Sequence, residues 1–425
     1  MAVRRLFAPR KPSGRWGGYN PSMKIVQLDI QGFRSLKNVS WRPGDLNVII
    51  GPNASGKSNL LRMLEMISAA AQGRLSRYVQ DEGGFAAVLW DGQAESIEFS
   101  VALSQMSESV PAPLEMVEIF PNHPTTPPRF VYNMELVPFG KGASYRVQQE
   151  QLRDEENHLD YLTRHGLIAQ AYTKNGLTSI RPDYVDEEEA ILPATVSPYG
   201  EFDEKQFLIS HVAAWSIYPT FRTDRDAPIR QAPVSRLEQR LASDGQNLIN
   251  VLHTLYTRDR QFKQDIDTAM SAAFGEEFDE LVFPPDSGDQ RIQMRLRWKT
   301  LKREQSTADL SDGTLRFLFL MTVFASPNPP PLIAIDEPEA GLHPSMMPII
   351  AEFAADAATR TQVIFTTHSD RFLDAFRDTK PTTTVAKLEN GETVLKTIAG
   401  ETLDYWLQEY SLGSLFRSGE LEEME

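Results

Sequence analysis

Short apolar runs and helical spacings along the chain predict a protein that mixes strands and helices. Residues 46–50 form an apolar run of the length of a buried strand, and residues 57–71 follow with helical spacing. Further apolar runs at 331–335 and 362–367 predict two more buried strands, and residues 315–321 continue as a helix. The expected fold class is therefore α/β, a mixed sheet flanked by helices.

Residues 291–299 differ from these runs because they alternate strictly between polar and apolar side chains. One strand face would carry Arg291, Arg295, Arg297 and Lys299, opposite Ile292, Met294, Leu296 and Trp298. Two interpretations of this basic face stay open. It is either a solvated face neutralised by neighbouring acids or a contact surface for a nucleic-acid backbone or an acidic partner.

The patterns divide the chain into five parts. Residues 1–22 read as a flexible basic tail, and Met1 and Met23 are both candidate starts. Residues 23–129 and 290–400 form two parts of one head, and residues 130–289 form a compact mixed insertion without a catalytic signature. Residues 401–425 are expected to form a helix and an acidic tail. No heptad repeat long enough for a coiled coil occurs.

Composition narrows the classes of function. With 41% hydrophobic and 24% charged residues, the chain has the composition of a soluble globular protein. No apolar run approaches the roughly 18 residues of a membrane-spanning helix, so no membrane insertion is expected. The absence of cysteine excludes disulfides and cysteine nucleophiles and fits the cytoplasm. A net charge of -15 argues against wrapping of nucleic acid without excluding a local basic groove.

The segment between the predicted strand 46–50 and the predicted helix 57–71 carries the strongest chemical signal. This phosphate loop consists of Gly51, Pro52, Asn53, Ala54, Ser55, Gly56, Lys57 and Ser58. The backbone N–H groups of such a loop cradle phosphates, and the helix dipole adds to the attraction. Lys57 would reach the β and γ phosphates, and the Ser58 hydroxyl would hold Mg²⁺. The sequence therefore predicts a nucleotide site.

Two acids and a histidine follow the later strands. Asp336 and Glu337 end the strand 331–335, and alternation would send them to opposite sides unless the chain turns at the strand terminus. Asp336 is expected to bind Mg²⁺ through its water shell, and Glu337 to act as the general base for the attacking water. His368 ends the strand 362–367 and is placed to contact the γ-phosphate or that water.

A second glycine motif precedes the helix 315–321. This signature segment consists of Leu310, Ser311, Asp312, Gly313 and Thr314. Free N–H groups and the hydroxyl at a helix start can bind an anion, so the segment would complete the site from another subunit. The alternative is an ordinary helix cap.

In this order the motifs resemble those of the ABC-type ATPase superfamily, specifically its soluble RecF/SMC/OLD-like branch. The matching parts are residues 51–58 (Walker A), 310–314 (signature), 333–337 (Walker B), 339–344 (D-loop) and His368 (switch histidine). Residues 33–36, Phe-Arg-Ser-Leu, also resemble an N-terminal segment of the branch.

The resemblance implies a P-loop NTPase of the ABC-head type that hydrolyses ATP with Mg²⁺. Two heads would form a homodimer around two ATP molecules, with Ser311 and Gly313 of one head on the γ-phosphate held by Lys57 of the other. Lys57 and Ser311 would thus join Glu337 and His368 in catalysis. Further nucleotide contacts are implied for Arg34, Asn59, Asp312 and Thr314.

The departures from the superfamily pattern limit the role. Ser-Asp-Gly-Thr in the signature weighs against a transporter subunit, and no Toprim-type nuclease is expected after His368. Gln93 is a candidate Mg²⁺ ligand, with a surface turn as the alternative. The leading hypothesis is an ATPase switch that controls DNA repair or phage defence, with DNA as a partner. The alternative is a nucleotide-gated scaffold that recruits an effector protein such as a toxin or nuclease.

Overall fold

A computed structural model describes residues 23–92, 94–105, 130–140, 144–173, 176–195, 204–284, 290–376, 379–398 and 411–419. Gln93, the basic tail 1–22 and most of the C-terminal part 401–425 lie outside the described residues. None of the described helices is long and apolar enough to cross a membrane.

The larger of the two main sheets is antiparallel throughout. Its eight strands are β1 (Met23–Phe33), β2 (Leu36–Trp41), β4 (Ile97–Gln105), β5 (Phe130–Pro138), β6 (Tyr145–Asp154), β7 (Leu159–His165), β8 (Ile168–Thr173) and β9 (Gly176–Ile180). They lie in the order β2-β1-β4-β5-β6-β7-β8-β9. Side chains alternate between buried and accessible along β5, as expected for a sheet with one face on a core.

The second main sheet carries the motifs. Its six strands are β3 (Leu46–Ile50), β10 (Ser216–Tyr218), β14 (Leu332–Asp336), β15 (Gln362–Thr367), β16 (Thr382–Glu389) and β17 (Glu392–Ile398). They lie in the order β10-β14-β15-β3-β16-β17, and all neighbours are parallel except the hairpin β16–β17. Because β3, β14 and β15 are parallel neighbours, their carboxyl ends meet at one edge.

Ten helices and a small sheet complete the described fold. The helices are α1 (Lys57–Ala71), α2 (Leu75–Asp81), α3 (Phe85–Val88), α4 (Glu204–Ala213), α5 (Leu248–Arg258), α6 (Arg260–Phe274), α7 (Asp312–Ala325), α8 (Met347–Ala357), α9 (Asp370–Asp374) and α10 (Leu412–Ser418). The small sheet has the antiparallel order β11 (Phe278–Val282), β12 (Arg295–Trp298), β13 (Gln305–Ser306). Short helical turns span Trp90–Gly92, Pro182–Tyr184, Leu192–Thr195, Pro228–Arg230, Gly275–Glu277 and Pro344–Met346.

The inner strands β3, β14 and β15 of the six-stranded sheet are buried on both faces. Val48 and Ile50 pack into the core that contains α5 to α8, whereas Ile49 packs into the core of α1 and the eight-stranded sheet. Burial on both faces explains why these inner strands read as largely continuous apolar runs rather than as alternating ones. The mixed sheet flanked by helices that the sequence predicts is confirmed by this layering.

Residues 130–289, set apart as an insertion by the sequence, contribute to both main sheets. The strands β5 to β9 extend the sheet that β1 and β4 begin, and β10 pairs with β14 in parallel. The two sheets are also tied by the buried Gln362, whose amide bonds to both backbone groups of Ile25 at 2.9 Å. The boundaries of the five parts into which the sequence divides the chain stay predictions.

The alternation in residues 291–299 is observed, and acids pair with two of the four cations on its basic side, while Arg291 and Lys299 are exposed. Ile292, Met294 and Leu296 are buried, while Arg295 and Arg297 remain partly accessible. Arg297 bonds to Glu280 at 2.5 Å and to Glu304 at 2.7 Å, and Arg295 lies 3.7 Å from Glu304. Cross-strand glutamates therefore neutralise these two cations, in line with the solvated-face interpretation.

Candidate nucleotide-binding site

The phosphate loop joins β3 to α1 at the carboxyl edge of the six-stranded sheet. Its backbone takes left-handed conformations at Ala54 (φ 64°) and Gly56 (φ 93°), which shape it into a cradle at the start of α1. No side chain caps the helix at Gly56, so its first N–H groups are available to an anion. The backbone here fits a phosphate group.

Lys57 lies at the centre of the site. Its side chain is buried, and its Nζ donates to the carbonyls of Gly51 and Pro52, both at 2.8 Å. Burial lowers the pKa of Lys57, and the charges of Glu337, Asp336 and Glu339 oppose that shift. The lysine therefore lies within the field of the carboxylates that follow β14.

Ser58 and Asp336 provide oxygen atoms that fit Mg²⁺. The Ser58 hydroxyl donates to Asp336 Oδ2 at 2.8 Å, although the residues lie 278 positions apart. The other carboxylate oxygen of Asp336 accepts from the Thr366 hydroxyl on the neighbouring strand β15. A hydroxyl and a carboxylate side by side are the hard oxygen ligands that Mg²⁺ prefers. The donor set fits this ion, and the metal roles of both residues stay predictions.

Glu337 and His368 form a pair at the same edge. Strand β14 ends at Asp336, and Glu337 takes a left-handed conformation (φ 47°) in which its N–H donates to Thr366 O at 3.0 Å. Glu337 Oε1 lies 2.8 Å from His368 Nδ1, and both side chains remain accessible to solvent. The turn at Glu337 thus places the carboxylates of Asp336 and Glu337 at the same edge of the sheet. The roles predicted for these two residues require this arrangement.

Glu339 is a third carboxylate at this edge that sequence reasoning missed. Its side chain is 7% exposed and accepts a hydrogen bond from the Thr367 hydroxyl. Burial raises the pKa of Glu339, with hydrogen bonding to Thr367 acting in the opposite direction. The run Asp336-Glu337-Pro338-Glu339, with three carboxylates in four positions, was the available signal.

The signature segment forms the start of α7. Ser311 accepts from the N–H of Thr314 at 3.1 Å as the helix cap, and Ser311 and Asp312 are exposed. A Cβ at Gly313 would lie 2.8 Å from the carbonyl oxygen of Gly341, so glycine permits a close approach to the 339–344 segment. Among the described residues, no hydrogen bond joins the signature segment to the phosphate loop. The two halves of the predicted site are thus not joined by a hydrogen bond within the described part of one chain.

Two partly buried arginines that the sequence patterns did not single out connect the signature segment and its helix α7 to neighbouring segments. Arg230 donates to the carbonyl of Leu310 at 2.8 Å and to that of Thr307 at 3.2 Å, and pairs with Asp312. From α7 itself, Arg316 donates to Ala340 O at 2.8 Å. Burial lowers the pKa of Arg316, and the negative charges of Glu339 and Glu337 oppose this shift. No local motif marks Arg230, because its contacts are remote in sequence.

Arg34 is engaged away from the phosphate loop. Its guanidinium pairs with Glu82, and its N–H donates to Val88 O at 2.8 Å. The following residue, Ser35, instead reaches α1, because its hydroxyl accepts from Asn59 at 2.8 Å. The predicted nucleotide contacts of Arg34 and Asn59 stay predictions, and Gln93 lies outside the described residues.

Two family models match the chain. Residues 23–119 match the family described as "AAA ATPase domain". Residues 179–374 match the family described as "AAA domain, putative AbiEii toxin, Type IV TA system". The first match includes the phosphate loop, and the second includes the signature segment, Asp336, Glu337 and His368.

A curated relative matches a shorter segment. The DNA replication and repair protein RecF of Moorella thermoacetica (strain ATCC 39073 / JCM 9320) is 47% identical over 64 residues. This segment is 15% of the present chain and 16% of the RecF protein, so most of the relative lies outside the match.

Solved structures show the fold over nearly the whole chain. The Smc head bound to the C-winged helix domain of ScpA has a TM-score of 0.54, at 14% identity, and covers 89% of this chain and 99% of that chain. The Smc head with an extended coiled coil, bound to the C-terminal domain of ScpA and derived from Pyrococcus furiosus, has a TM-score of 0.53 at 14% identity, with coverages of 91% and 99%. At this identity the likeness establishes the fold.

Proposed function

We propose that this chain, whose matches support an ABC/AAA ATPase of the RecF/SMC-like branch, binds ATP with Mg²⁺ and hydrolyses it. The observation that carries the proposal is the convergence at one sheet edge. Lys57, the Ser58–Asp336 pair at 2.8 Å and the Glu337–His368 pair at 2.8 Å all lie there. They supply a phosphate contact, a metal-binding pair and an acid–base pair.

Each group has a separate role in the proposed reaction. The N–H groups of the phosphate loop and Lys57 hold the phosphates, and Ser58 and Asp336 hold Mg²⁺, which neutralises charge on the phosphate oxygens. Glu337 accepts the proton of the attacking water, and His368 orients the Glu337 carboxylate through its Nδ1. Both side chains are accessible, so water can reach them in the described conformation.

The site is proposed to be complete only in a homodimer. Within the part of the chain that the structure describes, the exposed Ser311 and Asp312 at the start of α7 make no hydrogen bond to the phosphate loop, and their N–H groups are available to an anion. In a head-to-tail dimer, the partner's Ser311 would bind the γ-phosphate held by Lys57. Charge stabilisation from the second chain would then make turnover depend on assembly.

The downstream role is proposed as the control of a DNA-related activity, in repair or phage defence. Similarity to a segment of a DNA replication and repair protein supports it. A scaffold that recruits an effector protein is the second candidate, favoured by the toxin–antitoxin family matched over residues 179–374 and by the neutralised cations on β12. A cytoplasmic location is part of either proposal.

Sedimentation velocity with ATP and Mg²⁺ tests the dimer, with Lys57→Ala and Ser311→Arg as variants. Wild type should bind ATP and dimerise, Lys57→Ala should do neither, and Ser311→Arg should bind ATP but stay monomeric. No ATP binding by wild type would refute the nucleotide proposal. ATP binding without any change in sedimentation would refute the dimer alone.

The same samples separate the two downstream roles. ATP turnover stimulated by duplex DNA, with a rate that falls as salt rises, supports the DNA role. Turnover indifferent to DNA, together with ATP-dependent assembly with a toxin or nuclease expressed alongside, supports the scaffold.

A further inference from the structure

Thr393, the second residue of β17, contacts the phosphate loop from the far C-terminal side of the sequence. Its side chain is 2% exposed, and its hydroxyl donates to the carbonyl of Ser55 at 3.0 Å, across 338 positions. Ser55 is 1% exposed, so this bond is shielded from water. None of the sequence motifs includes β17, yet the strand reaches the predicted phosphate cradle.

The contact is the end of a directed chain of hydrogen bonds. The Asn59 amide donates to Ser35 Oγ at 2.8 Å, and Ser35 Oγ lies 2.7 Å from Thr393 Oγ1. Because the Thr393 hydroxyl has one proton and gives it to Ser55 O, the Ser35 hydroxyl must donate to Thr393. Asn59, Ser35 and Thr393 thus each donate one hydrogen bond to the next residue, and the carbonyl of Ser55 accepts the last one. Consecutive hydrogen bonds of such a chain, here partly to fully buried, polarise and strengthen one another.

The hairpin β16–β17 also defines the shape of the loop. A Cβ at Gly56 would overlap the Thr393 hydroxyl, and a Cβ at Gly51 would overlap the carbonyl oxygen of Ala386 on β16. The loop backbone therefore lies directly on the hairpin at both of its glycines. The N–H of Thr393 adds a bond to Ser35 O at 2.7 Å, which ties the turn between β1 and β2 to the same place.

Peptide geometry links this contact to phosphate binding. The carbonyl of Ser55 and the N–H of Gly56 belong to one planar trans peptide and point in opposite directions. Holding the carbonyl toward Thr393 aims the Gly56 N–H away from β17, into the cradle at the start of α1. The conformation of Gly56, φ 93°, accompanies this orientation.

We infer that Thr393 and Ser35 are positioning residues that set the affinity of the phosphate loop for the phosphates of a nucleotide. The C-terminal hairpin is then part of the nucleotide site, although it contributes no group to the reaction. This inference rests on the proposed function, since it assumes that the phosphate loop binds ATP.

Calorimetric titration with ATP and with ADP, each with Mg²⁺, tests the inference on Thr393→Val. Valine keeps the volume and removes the donor, so affinity for both nucleotides should fall about tenfold, the equivalent of one lost hydrogen bond. Thr393→Ser keeps the hydroxyl and should restore most of the affinity. Turnover should show a raised KM with a smaller change in kcat.

Thr397→Val is the matched control on the same strand. Thr397 bonds to Thr384 at 3.2 Å, so the variant loses a β17 hydroxyl that does not reach the phosphate loop. Its ATP affinity should equal that of wild type. If Thr393→Val fails to fold in a melting experiment, Ser35→Ala breaks the same chain one bond earlier and should weaken ATP binding likewise.

The outcomes separate the inference from the proposed function. Equal ATP affinity in wild type and in a folded Thr393→Val variant overturns the inference and leaves ATP binding intact. An equal loss in Thr397→Val also overturns it, because the effect would then come from the hairpin as a whole. Failure of wild type to bind either nucleotide overturns the proposed function itself.

Discussion

His368 Nδ1 lies 2.8 Å from Glu337 Oε1, although the two residues are 31 positions apart. They follow β15 and β14, parallel neighbours in which Thr366 is in register with Asp336. Because the strands end together, each presents its next residue at the same edge. The imidazole can therefore hold the carboxylate in one orientation.

Replacing Glu337 with glutamine should stop turnover while ATP binding persists. The amide keeps the size of the side chain but cannot accept a proton, so kcat should fall by at least about a hundredfold. Turnover and calorimetric binding measure the two effects. The dimer formed with ATP should also live longer, as sedimentation would show.

An exposed glutamate provides the control for this substitution. Glu389→Gln, at the end of β16, should turn over at the wild-type rate. Normal hydrolysis by Glu337→Gln would show that another group accepts the proton.

Replacing Arg230 with methionine should weaken ATP-dependent dimerisation more than ATP binding. The substitution removes the donors to Leu310 O and Thr307 O and leaves buried carbonyls unpaired, at a cost of roughly 2–4 kcal/mol in folding free energy. The signature segment should then lose its defined conformation. Sedimentation and calorimetry on the same preparation compare the two effects.

Arg222 gives a matched control for Arg230 on the same connecting segment. Its side chain is 65% exposed and pairs with Asp224. Arg222→Gln should leave both dimerisation and the melting temperature at their wild-type values, because solvent screens this exposed pair. Unchanged dimerisation in Arg230→Met would refute the proposal that Arg230 holds the signature segment in its conformation.

Neutralising Arg295 and Arg297 together as glutamines should leave DNA affinity and its salt dependence unchanged. Glu280 and Glu304 already compensate both charges, and exposed pairs of this kind contribute little because solvent screens them. Binding of duplex DNA across a salt series measures this. A flatter salt dependence in the variant would favour a nucleic-acid contact at β12 instead.

The complementary variant removes the acids. Changing Glu280 and Glu304 to glutamines exposes the two guanidinium charges, so non-specific DNA affinity should rise and become more sensitive to salt. The same measurement on both double variants therefore separates a neutralised face from an active one.

Glu65 on α1 should make stability fall as pH rises. Burial, followed by the charges of Glu82 and Asp336, raises its pKa from 4.5 to about 7, with Arg62 opposing. A raised carboxyl pKa means that the folded state binds the proton more tightly than the unfolded state. The stability from Glu65 is thus complete below about pH 4.5 and is lost as pH rises through about 7.

Melting temperatures at about pH 5 and about pH 8 check this for wild type and Glu65→Gln. Wild type should lose more stability than the variant over this interval, because glutamine has no proton to release. Parallel losses in both proteins would show that other groups control the pH dependence.

Local sequence was sufficient to predict the elements that flank the motifs and to select the candidate site residues, whose roles stay predictions. The helix predicted over residues 57–71 has exactly those bounds, and the runs before Gly51, Glu337 and His368 are strands. Such features depend on interactions between near neighbours, on side-chain spacing and on glycine at turns. The order of the motifs then indicated the family resemblance, and the matches to the two family models support it.

The charge of β12 illustrates the limit of that reasoning. Alternation correctly placed Arg295 and Arg297 on one face, but two interpretations remained because their partners lie on other segments. The insertion 130–289 is similar, since its strands join sheets begun elsewhere in the chain. Strand order and register arise from packing of whole elements, which no local pattern encodes.

The sequence by itself determined which chemical groups this protein has and on which local elements they lie. Tertiary structure decided which of them meet: Ser58 with Asp336, Glu337 with His368, Arg230 with the signature segment, and Thr393 with the phosphate loop. The physical reason is that local conformation follows from short-range sterics and hydrogen bonding. Contacts across hundreds of positions depend instead on burying both faces of the central sheet at once.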